Sequence, residues 1–253
     1  MPAISVKDLT KRYGGVCLPD GLSLTVGRGE FVTLLGGSRS GKSAICRLLA
    51  GVDAPDGGEG TVLDLDLQRK RRQIKKAVGF CPSDTPCDPM LTVEEHLVFL
   101  GRLYGMGKEA ARDRANRCLA RFLLTDRAHT PAGELSLGER RRLGLAMATV
   151  NEPALLILDD PTGGLDALRQ RELWDSLFKL RGQYTVVLAT SVPMEAEILS
   201  DRVGILKDGR MLSYGTVQKL LQDTYSDHVT EAYLRTVFLA EQLEDGEEGS
   251  HRA

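Results

Sequence analysis

The spacing of apolar residues in the first part of the chain predicts short strands, a turn and one helix. Residues 4–9 and 22–26 alternate apolar and polar side chains, which is typical of strands with one buried face. Residues 31–35 form an apolar run that predicts a short buried strand, and a helix over 42–50 ends at Gly51. We expect a loop over 53–60 and one more strand over 61–67.

Residues 68–76 form a basic run, which favours a helix with a solvated face. The alternative is a surface for acidic headgroups or for a partner, and we weigh the solvated face at about four to one. A short apolar strand over 78–81 follows and ends at Pro82.

From residue 84 to about residue 150 the pattern becomes helical. Two capping boxes mark helix starts, Thr92 with Glu95 and Ser136 with Glu139. Apolar residues follow Thr92 at helical spacing, and further helices are expected over 108–124 and 136–150.

The last third alternates strands and helices. Residues 154–158 are continuously apolar, which is typical of a strand buried on both faces. The other expected strands cover 185–190 and 203–206. The expected helices cover 166–180, 194–199 and 229–243. Residues 244–253 are polar and are expected to be disordered.

Composition narrows the class of protein. With 253 residues and 42% apolar content, the chain suits one α/β domain with an inserted subdomain. The net charge of −2 favours neither nucleic acid nor an anionic surface. Five cysteines without a CxxC pair indicate a reduced setting without disulfides or zinc. We see no signal peptide, and no apolar run approaches the length of a membrane span. If the protein moves a substrate across a membrane, another chain or segment supplies the path.

The strongest chemical signal is a glycine-rich loop that fits G-x-x-x-x-G-K-[ST] at every fixed position. Its backbone N–H groups and the start of the next helix form a cradle for phosphate oxygens. Lys42 suits the β- and γ-phosphates, and the Ser43 hydroxyl suits Mg²⁺. A chance glycine-rich turn is an alternative at about one in twenty. The loop residues are Gly36, Gly37, Ser38, Arg39, Ser40, Gly41, Lys42 and Ser43.

A second piece of such a site follows the buried run at 154–158. Asp159 stands at the tip of that expected strand, where a carboxylate can hold Mg²⁺ beside a phosphate loop. Alone this signal is weak, but after a complete phosphate loop it is strong.

Five motifs in this order resemble the nucleotide-binding domain of ATP-binding-cassette (ABC) transporters, over residues 4 to about 221. Segments 79–82, 91–97 and 200–210 are similar to the subfamily A lipid transporters and to related bacterial ABC-2 type exporters. The matching motifs are Tyr13 as the aromatic that stacks on adenine, the phosphate loop, the signature Leu135-Ser136-Leu137-Gly138-Glu139, the pair Asp159-Asp160, and the loop Gly164-Leu165-Asp166.

The resemblance implies a RecA-like P-loop core with an N-terminal antiparallel β subdomain and an inserted helical subdomain. The cassette would cover residues 1–222, with the helical part at about 84–150, and residues 223–253 would hold a C-terminal helix and an acidic tail. ATP and Mg²⁺ would be the cofactors. Ser43, Ser83 and Asp159 would hold the metal ion, and Asp160, Ser191 and Ser83 would stand at the catalytic positions.

The resemblance also implies partners. Ser136, Leu137, Gly138, Glu139 and Asp166 would contact nucleotide or partner across an interface with a second cassette. Ser136 and Glu139 could instead be plain helix caps, but we favour a dual role. A transmembrane permease would hold the chain at the cytoplasmic face of a membrane, and no nucleic-acid partner is expected.

Several positions depart from the family pattern. Ser83 stands where the family usually has Gln, Asp160 where it has Glu, and Ser191 where it has His. Ala44 follows Ser43 where a second hydroxyl is usual, and Arg39 is unusual within the loop. The three altered hydrolysis-side residues predict weakened turnover, because small misplacements at a reacting centre slow reactions strongly.

We therefore expect an ATPase subunit that is slow at its own site and pairs with a complete cassette. A homodimer with two slow sites is the alternative arrangement. Two other classes remain: a regulatory or scaffold subunit without turnover, and a soluble ABC protein acting on ribosomes or DNA. Proteins of the last class usually join two cassettes or insert long coiled coils, and this sequence shows neither pattern.

Overall fold

The computed structural model describes residues 1–250, and the side chains of residues 1–242. Its strands are β1 Ile4–Thr10, β2 Arg12–Tyr13, β3 Val16–Cys17, β4 Leu22–Val26, β5 Phe31–Gly36, β6 Gly57–Val62, β7 Leu65–Asp66, β8 Val78–Cys81, β9 Leu155–Asp159, β10 Thr185–Thr190, β11 Arg202–Lys207 and β12 Arg210–Thr216. Its α-helices are α1 Lys42–Leu49, α2 Arg71–Ala77, α3 Val93–Leu103, α4 Lys108–Arg121, α5 Leu137–Thr149, α6 Ala167–Phe178, α7 Pro193–Leu199, α8 Val217–Asp223 and α9 Val229–Ser250.

Two main sheets organise these elements. The larger sheet has the order β12-β11-β5-β10-β9-β8, and its strands are parallel except β12, which pairs antiparallel with β11 at the edge. The smaller sheet, β4-β1-β6-β7, is antiparallel. The α/β fold class with a parallel core sheet and an antiparallel N-terminal sheet is thereby confirmed.

The parallel sheet is buried on both faces, and β9 shows how one strand serves two cores. Leu156 and Leu158 pack into a cluster with α3, α4, α5 and α6. Leu155 and Ile157 face the other way, into a cluster with α1 and the antiparallel sheet. Because side chains alternate along a strand, a strand buried on both faces must be apolar at every position. The sheet is thus fixed from both sides, and its carboxyl ends have a defined position.

The expected loop over 53–60 and the expected single strand over 61–67 are wrong. β6 begins at Gly57, and β6 and β7 form a hairpin whose turn is made by Leu63 (φ 51°) and Asp64 (φ 63°). Gly60 is required because a Cβ there would lie 2.6 Å from the Ser5 carbonyl oxygen on β1. Glycine normally disfavours strands, so close backbone approach explains the difference.

Other elements lie near their expected bounds, with differences at the ends. α4 ends at Arg121 and not at residue 124, and the short β2–β3 pair, β12 and α8 were not expected. The basic run does form a helix, α2, in which Ile74 is the buried residue. α9 continues to Ser250, so residues 244–250 are helical where disorder was expected, since a nucleated helix extends at little cost. Residues 251–253 lie outside the described residues.

Within residues 1–250, none of the helices is both long enough and apolar enough to cross a membrane.

Candidate nucleotide-binding site

The glycine-rich loop joins β5 to α1 and is folded by close backbone contacts. A Cβ on Gly36 would lie 2.5 Å from Ser40 Oγ and 2.6 Å from the Leu206 carbonyl oxygen, so only glycine fits. Ser40 is buried, and its hydroxyl donates to the Gly37 carbonyl at 2.9 Å. Gly41, with φ 93°, turns the chain into α1. Contacts within the chain therefore maintain the shape of the loop.

Lys42 is the first residue of α1, and its ammonium group bends back over the loop. Its Nζ donates to the carbonyl oxygens of Gly36 (2.7 Å) and Gly37 (2.6 Å). Burial lowers the pKa of Lys42, while the nearby carboxylates of Asp160 and Asp159 act in the opposite direction. The lysine is thus held at the loop as a desolvated cation that an anion can approach.

Asp159 ends β9 directly beside this loop. Ser43 Oγ donates to Asp159 Oδ1 at 3.1 Å, and the aspartate is 3% exposed. Burial raises the pKa of Asp159, and hydrogen bonds from Ser43 and from the Ser83 backbone N–H oppose that shift. A hydroxyl and a carboxylate at this spacing are oxygen donors of the kind that Mg²⁺ prefers.

Asp160 follows with a backbone in the left-handed region (φ 48°). Its N–H donates to the Ala189 carbonyl at 2.8 Å, which ties it to β10. Its carboxylate packs against Gly163, where a Cβ would collide with Oδ2. Oδ1 is buried and has no hydrogen-bond partner among the described residues. This oxygen therefore keeps its capacity to accept a hydrogen bond.

Two serines complete the same side of the site. Ser191 is exposed and directly follows β10. Ser83 is held through its backbone, because its carbonyl accepts a hydrogen bond from Arg141, which also donates to the Gly163 carbonyl at 2.9 Å. Neither serine side chain makes a hydrogen bond to another described residue. Both hydroxyls line the cavity on short side chains.

These groups surround one cavity of about 430 Å³. It brings together the residues expected to act on the chain's own nucleotide, except Tyr13, Gly36 and Gly37. Its lining residues are Leu18, Ser38, Arg39, Ser40, Gly41, Lys42, Ser43, Ala44, Ser83, Asp159, Asp160 and Ser191. Leu18 was not expected from the sequence, because an isolated leucine before a proline carries no motif.

Tyr13, the expected adenine-stacking residue, lies outside that lining and beside α1. Its hydroxyl donates to Asp53 Oδ2 at 2.5 Å, and Arg47 of α1 pairs with the same carboxylate at 2.8 Å. Burial, together with the hydrogen bond to Asp53, raises the pKa of Tyr13 to about 12. The residue as a whole is 39% exposed, and Lys11 Nζ lies over the ring, 5.7 Å from its centroid.

The signature residues also lie outside the lining of this cavity. Ser136 and Glu139 form a capping box at the start of α5, with Glu139 Oε2 accepting from the Ser136 N–H at 2.8 Å. Leu137 is 39% exposed, and Gly138 has open space on most sides. Asp166 caps α6 by accepting from the Arg169 N–H at 3.0 Å. The structure therefore does not bring these residues to the chain's own phosphate loop.

Sequence reasoning missed a buried carboxylate behind Asp160. Glu195 of α7 is 0% exposed, and its Oε1 accepts from Trp174 Nε1 at 2.8 Å and from the Thr162 hydroxyl. Burial raises the pKa of Glu195, and these hydrogen bonds oppose the shift. Thr162 lies two residues after Asp160, so the carboxyl group connects the loop after β9 to α7. The sequence shows only an acidic residue in a short helix, which is usually exposed.

Comparison with known proteins places this site in a family. The family model for ABC transporters matches residues 19–163. Nod factor export ATP-binding protein I of Rhizobium sp. (strain N33) is 37% identical over 232 residues, which are 91% of this chain and 76% of that protein. The chain belongs to the ABC transporter family.

Two further likenesses support the assignment of this cassette. Daunorubicin resistance ATP-binding protein DrrA3 of Streptomyces coeruleorubidus is 36% identical over 228 residues, covering 90% of this chain and 72% of that protein. The dimeric structure of the bacterial ABC transporter cassette MJ0796 aligns with a TM-score of 0.77 at 28% identity, over 85% of this chain and 98% of that one. The expected family and its relation to exporter ATPases are confirmed.

Proposed function

We propose that this cassette is the ATP-binding subunit of an ABC exporter, attached to a transmembrane permease at the cytoplasmic face of a membrane. The observation that carries the proposal is the cavity in which Lys42, Ser43 and Asp159 meet one complete phosphate loop. The relatives named for Nod factor export and daunorubicin resistance support an export role. The similarity of segments 79–82, 91–97 and 200–210 to the lipid-transporter subfamily favours a lipid or another amphiphile as the substrate.

The residues fit ATP and Mg²⁺ as ligands. Lys42 is a desolvated cation within the loop, and the loop's N–H groups and the start of α1 favour an anion. Ser43 and Asp159 would hold Mg²⁺, with Ser83 adjacent to both. When bound, Mg²⁺ neutralises charge on the phosphates, and the protein's part is to position them.

Turnover at this site would be slow because the side chains that face the phosphate loop across the cavity are short. Asp160 carries its carboxylate one methylene closer to the backbone than Glu would, and that carboxylate lies against Gly163. Ser191 offers a hydroxyl on a shorter side chain than an imidazole, and Ser83 is held by its backbone. Since phosphoryl transfer depends on positioning, these differences affect the water more than the bound phosphates.

The second site of a working exporter would come from another chain. Ser136 and Gly138 stand at the exposed start of α5, where a helix N-terminus can meet the phosphate of a facing cassette. A partner with Glu and His at the positions of Asp160 and Ser191 would hydrolyse ATP normally. We therefore favour a mixed dimer over a homodimer with two slow sites.

Purification from native membranes tests this proposal. A tagged chain should bring down one polytopic membrane protein and one non-identical cassette, and native mass spectrometry should give their stoichiometry. Two identical cassettes would refute the mixed dimer. Recovery without any membrane protein would instead support the scaffold or soluble alternatives.

A further inference from the structure

Arg39 is held in a backbone conformation that arginine disfavours. Its φ is 67°, in the left-handed region, where L-residues with a Cβ crowd the following carbonyl. Glycine would adopt this conformation freely, as Gly41 does in the same loop. A strained non-glycine residue at a ligand site calls for a use of its side chain, and the strain alone does not name that use.

The position of the side chain indicates what it can reach. Arg39 is exposed and lines the cavity that also contains Lys42, Asp160 and Ser191. It makes no hydrogen bond or ion pair with any residue in the described part of the chain. Its guanidinium is therefore available to a ligand in the cavity.

The charged side chains that line the cavity balance only when Arg39 is included. Lys42 is its only lysine, and the carboxylates of Asp159 and Asp160 outnumber it, so the lining without Arg39 is formally negative. The ammonium group of Lys42 is also committed to two loop carbonyls. Arg39 brings the lining to neutrality, which favours entry of a polyphosphate.

We propose that Arg39 binds the terminal phosphate of ATP and makes this cassette prefer ATP to ADP. This inference rests on the proposed function of the site as an ATP site. A guanidinium can pair with two phosphate oxygens at once, which a lysine cannot do. Arg39 thereby supplies a cationic contact from the phosphate loop, while Ser191, across the cavity, offers only a hydroxyl.

The test compares two nucleotides on the full 253-residue chain. Isothermal titration measures binding of the non-hydrolysable analogue AMP-PNP and of ADP, both with Mg²⁺. Arg39→Gly should weaken AMP-PNP binding about tenfold, which is about 1.4 kcal/mol, and ADP binding less than about twofold. Arg39→Lys should fall between the parent and Arg39→Gly, because it keeps the charge and loses the paired geometry.

Two controls separate charge and strain from phosphate contact. Arg72→Ala removes an exposed cation of α2 that is not part of the cavity lining. Tyr225→Gly removes another left-handed non-glycine residue (φ 50°), whose side chain is 89% exposed. Neither variant should change the affinity ratio of the two nucleotides.

Three results would overturn the inference. Arg39→Gly could bind AMP-PNP as tightly as the parent, could bind it more tightly, or could lose affinity for both nucleotides equally. Lys42→Ala distinguishes this failure from failure of the ATP site itself. If Lys42→Ala loses both nucleotides while Arg39→Gly keeps its ratio, the site stands and the role of Arg39 does not.

Discussion

Apart from Arg39, the two sides of the nucleotide cavity differ in how completely their polar groups are engaged. On the loop side, Lys42 and Ser40 bond to loop carbonyls, and Ser43 bonds to Asp159. On the opposite side, Asp160 keeps a buried oxygen without a partner among the described residues, and the Ser191 hydroxyl is exposed. We call these the loop side and the water side.

This difference predicts that nucleotide binding and turnover can be changed separately by substitutions within one cavity. The loop side carries the groups that we propose to hold phosphate and Mg²⁺, and they match the family pattern at Lys42 and Asp159. The water side carries shorter residues at the three positions that would place the attacking water. Groups that act equally on ground state and transition state set affinity, whereas those that act on the water set the rate.

The largest expected effect is on the loop side. Lys42→Ala should abolish detectable Mg-ATP binding, a loss on the order of a hundredfold or more, because the cavity loses its desolvated cation. Equilibrium binding of ATP checks this. Lys70→Ala, which removes an exposed lysine beside α2, is the matched control and should bind as the parent does. Equal binding by both variants would contradict the assignment of the loop side.

The next effect is on the water side. Asp160→Glu combined with Ser191→His should raise kcat by roughly one to three powers of ten while KM stays nearly constant, if each contact restores about 1–3 kcal/mol. Single-turnover kinetics separate chemistry from product release. Each single change should give less, and the two should couple because they act on one water and one phosphate.

A rate for the double variant that is no higher than the parent's would mean that these side chains do not limit turnover. Ser83, the third altered position on the water side, would then be the next residue to change. A large change in KM would also break the comparison, because it would show that the water side contributes to binding.

The sequence predicted the loop side well because its signals are local. A strand, a glycine-rich turn, Lys42 and a helix follow one another without a gap, and each residue type has one chemical reason. The capping boxes at Thr92 and Ser136 were equally local, and both are present in the structure. Predicting the position of the Asp159 carboxylate required only that a buried apolar strand end beside the loop.

Features that depend on distant contacts were missed. β6 contains three glycines, which read as a loop, yet Gly60 is required by the backbone of β1. Glu195 is buried only because Trp174 of α6 and Thr162 meet it, and these residues are 21 and 33 positions away. A periodicity within one helix carries no information about such partners.

Glu195 allows the support behind the water side to be tested. Glu195→Ala should destabilise the fold by about 2–4 kcal/mol, because it leaves the buried donors of Trp174 and Thr162 unpaired. Glu195→Gln keeps an acceptor for both donors and should recover most of that loss. Thermal unfolding measures both variants, and equal destabilisation would show that a neutral acceptor of the same shape cannot replace the carboxylate there.

The same residue gives a pH dependence with a definite sign. Burial raises the pKa of Glu195, so the stability linked to its proton is full below the ordinary carboxyl pKa and is lost as pH rises through the raised value. Glu195→Gln cannot lose that proton. Its melting temperature relative to the parent should therefore increase from about pH 5 to pH 8, since the ordinary value is about 4.3. A constant difference would argue against titration of Glu195 in this range.

The smallest effect extends the comparison to a second chain. Thr92 and Ser136 cap α3 and α5 in the same way, since each hydroxyl accepts from the N–H three residues later at 3.2 and 3.3 Å. Each alanine variant should lose about 1 kcal/mol, or about 2–4 °C in melting temperature. If Ser136 is only a cap, the two variants will behave alike in every assay.

If Ser136 also contacts phosphate, Ser136→Ala and Thr92→Ala should differ in an assay that does not depend on stability. The hydroxyl of Ser136 stands at the exposed start of α5, and a facing cassette would present its γ-phosphate there. Ser136→Ala should therefore weaken ATP-dependent association of the two cassettes about tenfold, whereas Thr92→Ala, matched in cap and in stability loss, should leave it unchanged. Sedimentation of the purified pair with and without Mg-ATP measures this. Equal association by the two variants would assign the Ser136 hydroxyl to capping alone, and phosphate contact across the interface would fall to the backbone N–H groups of α5.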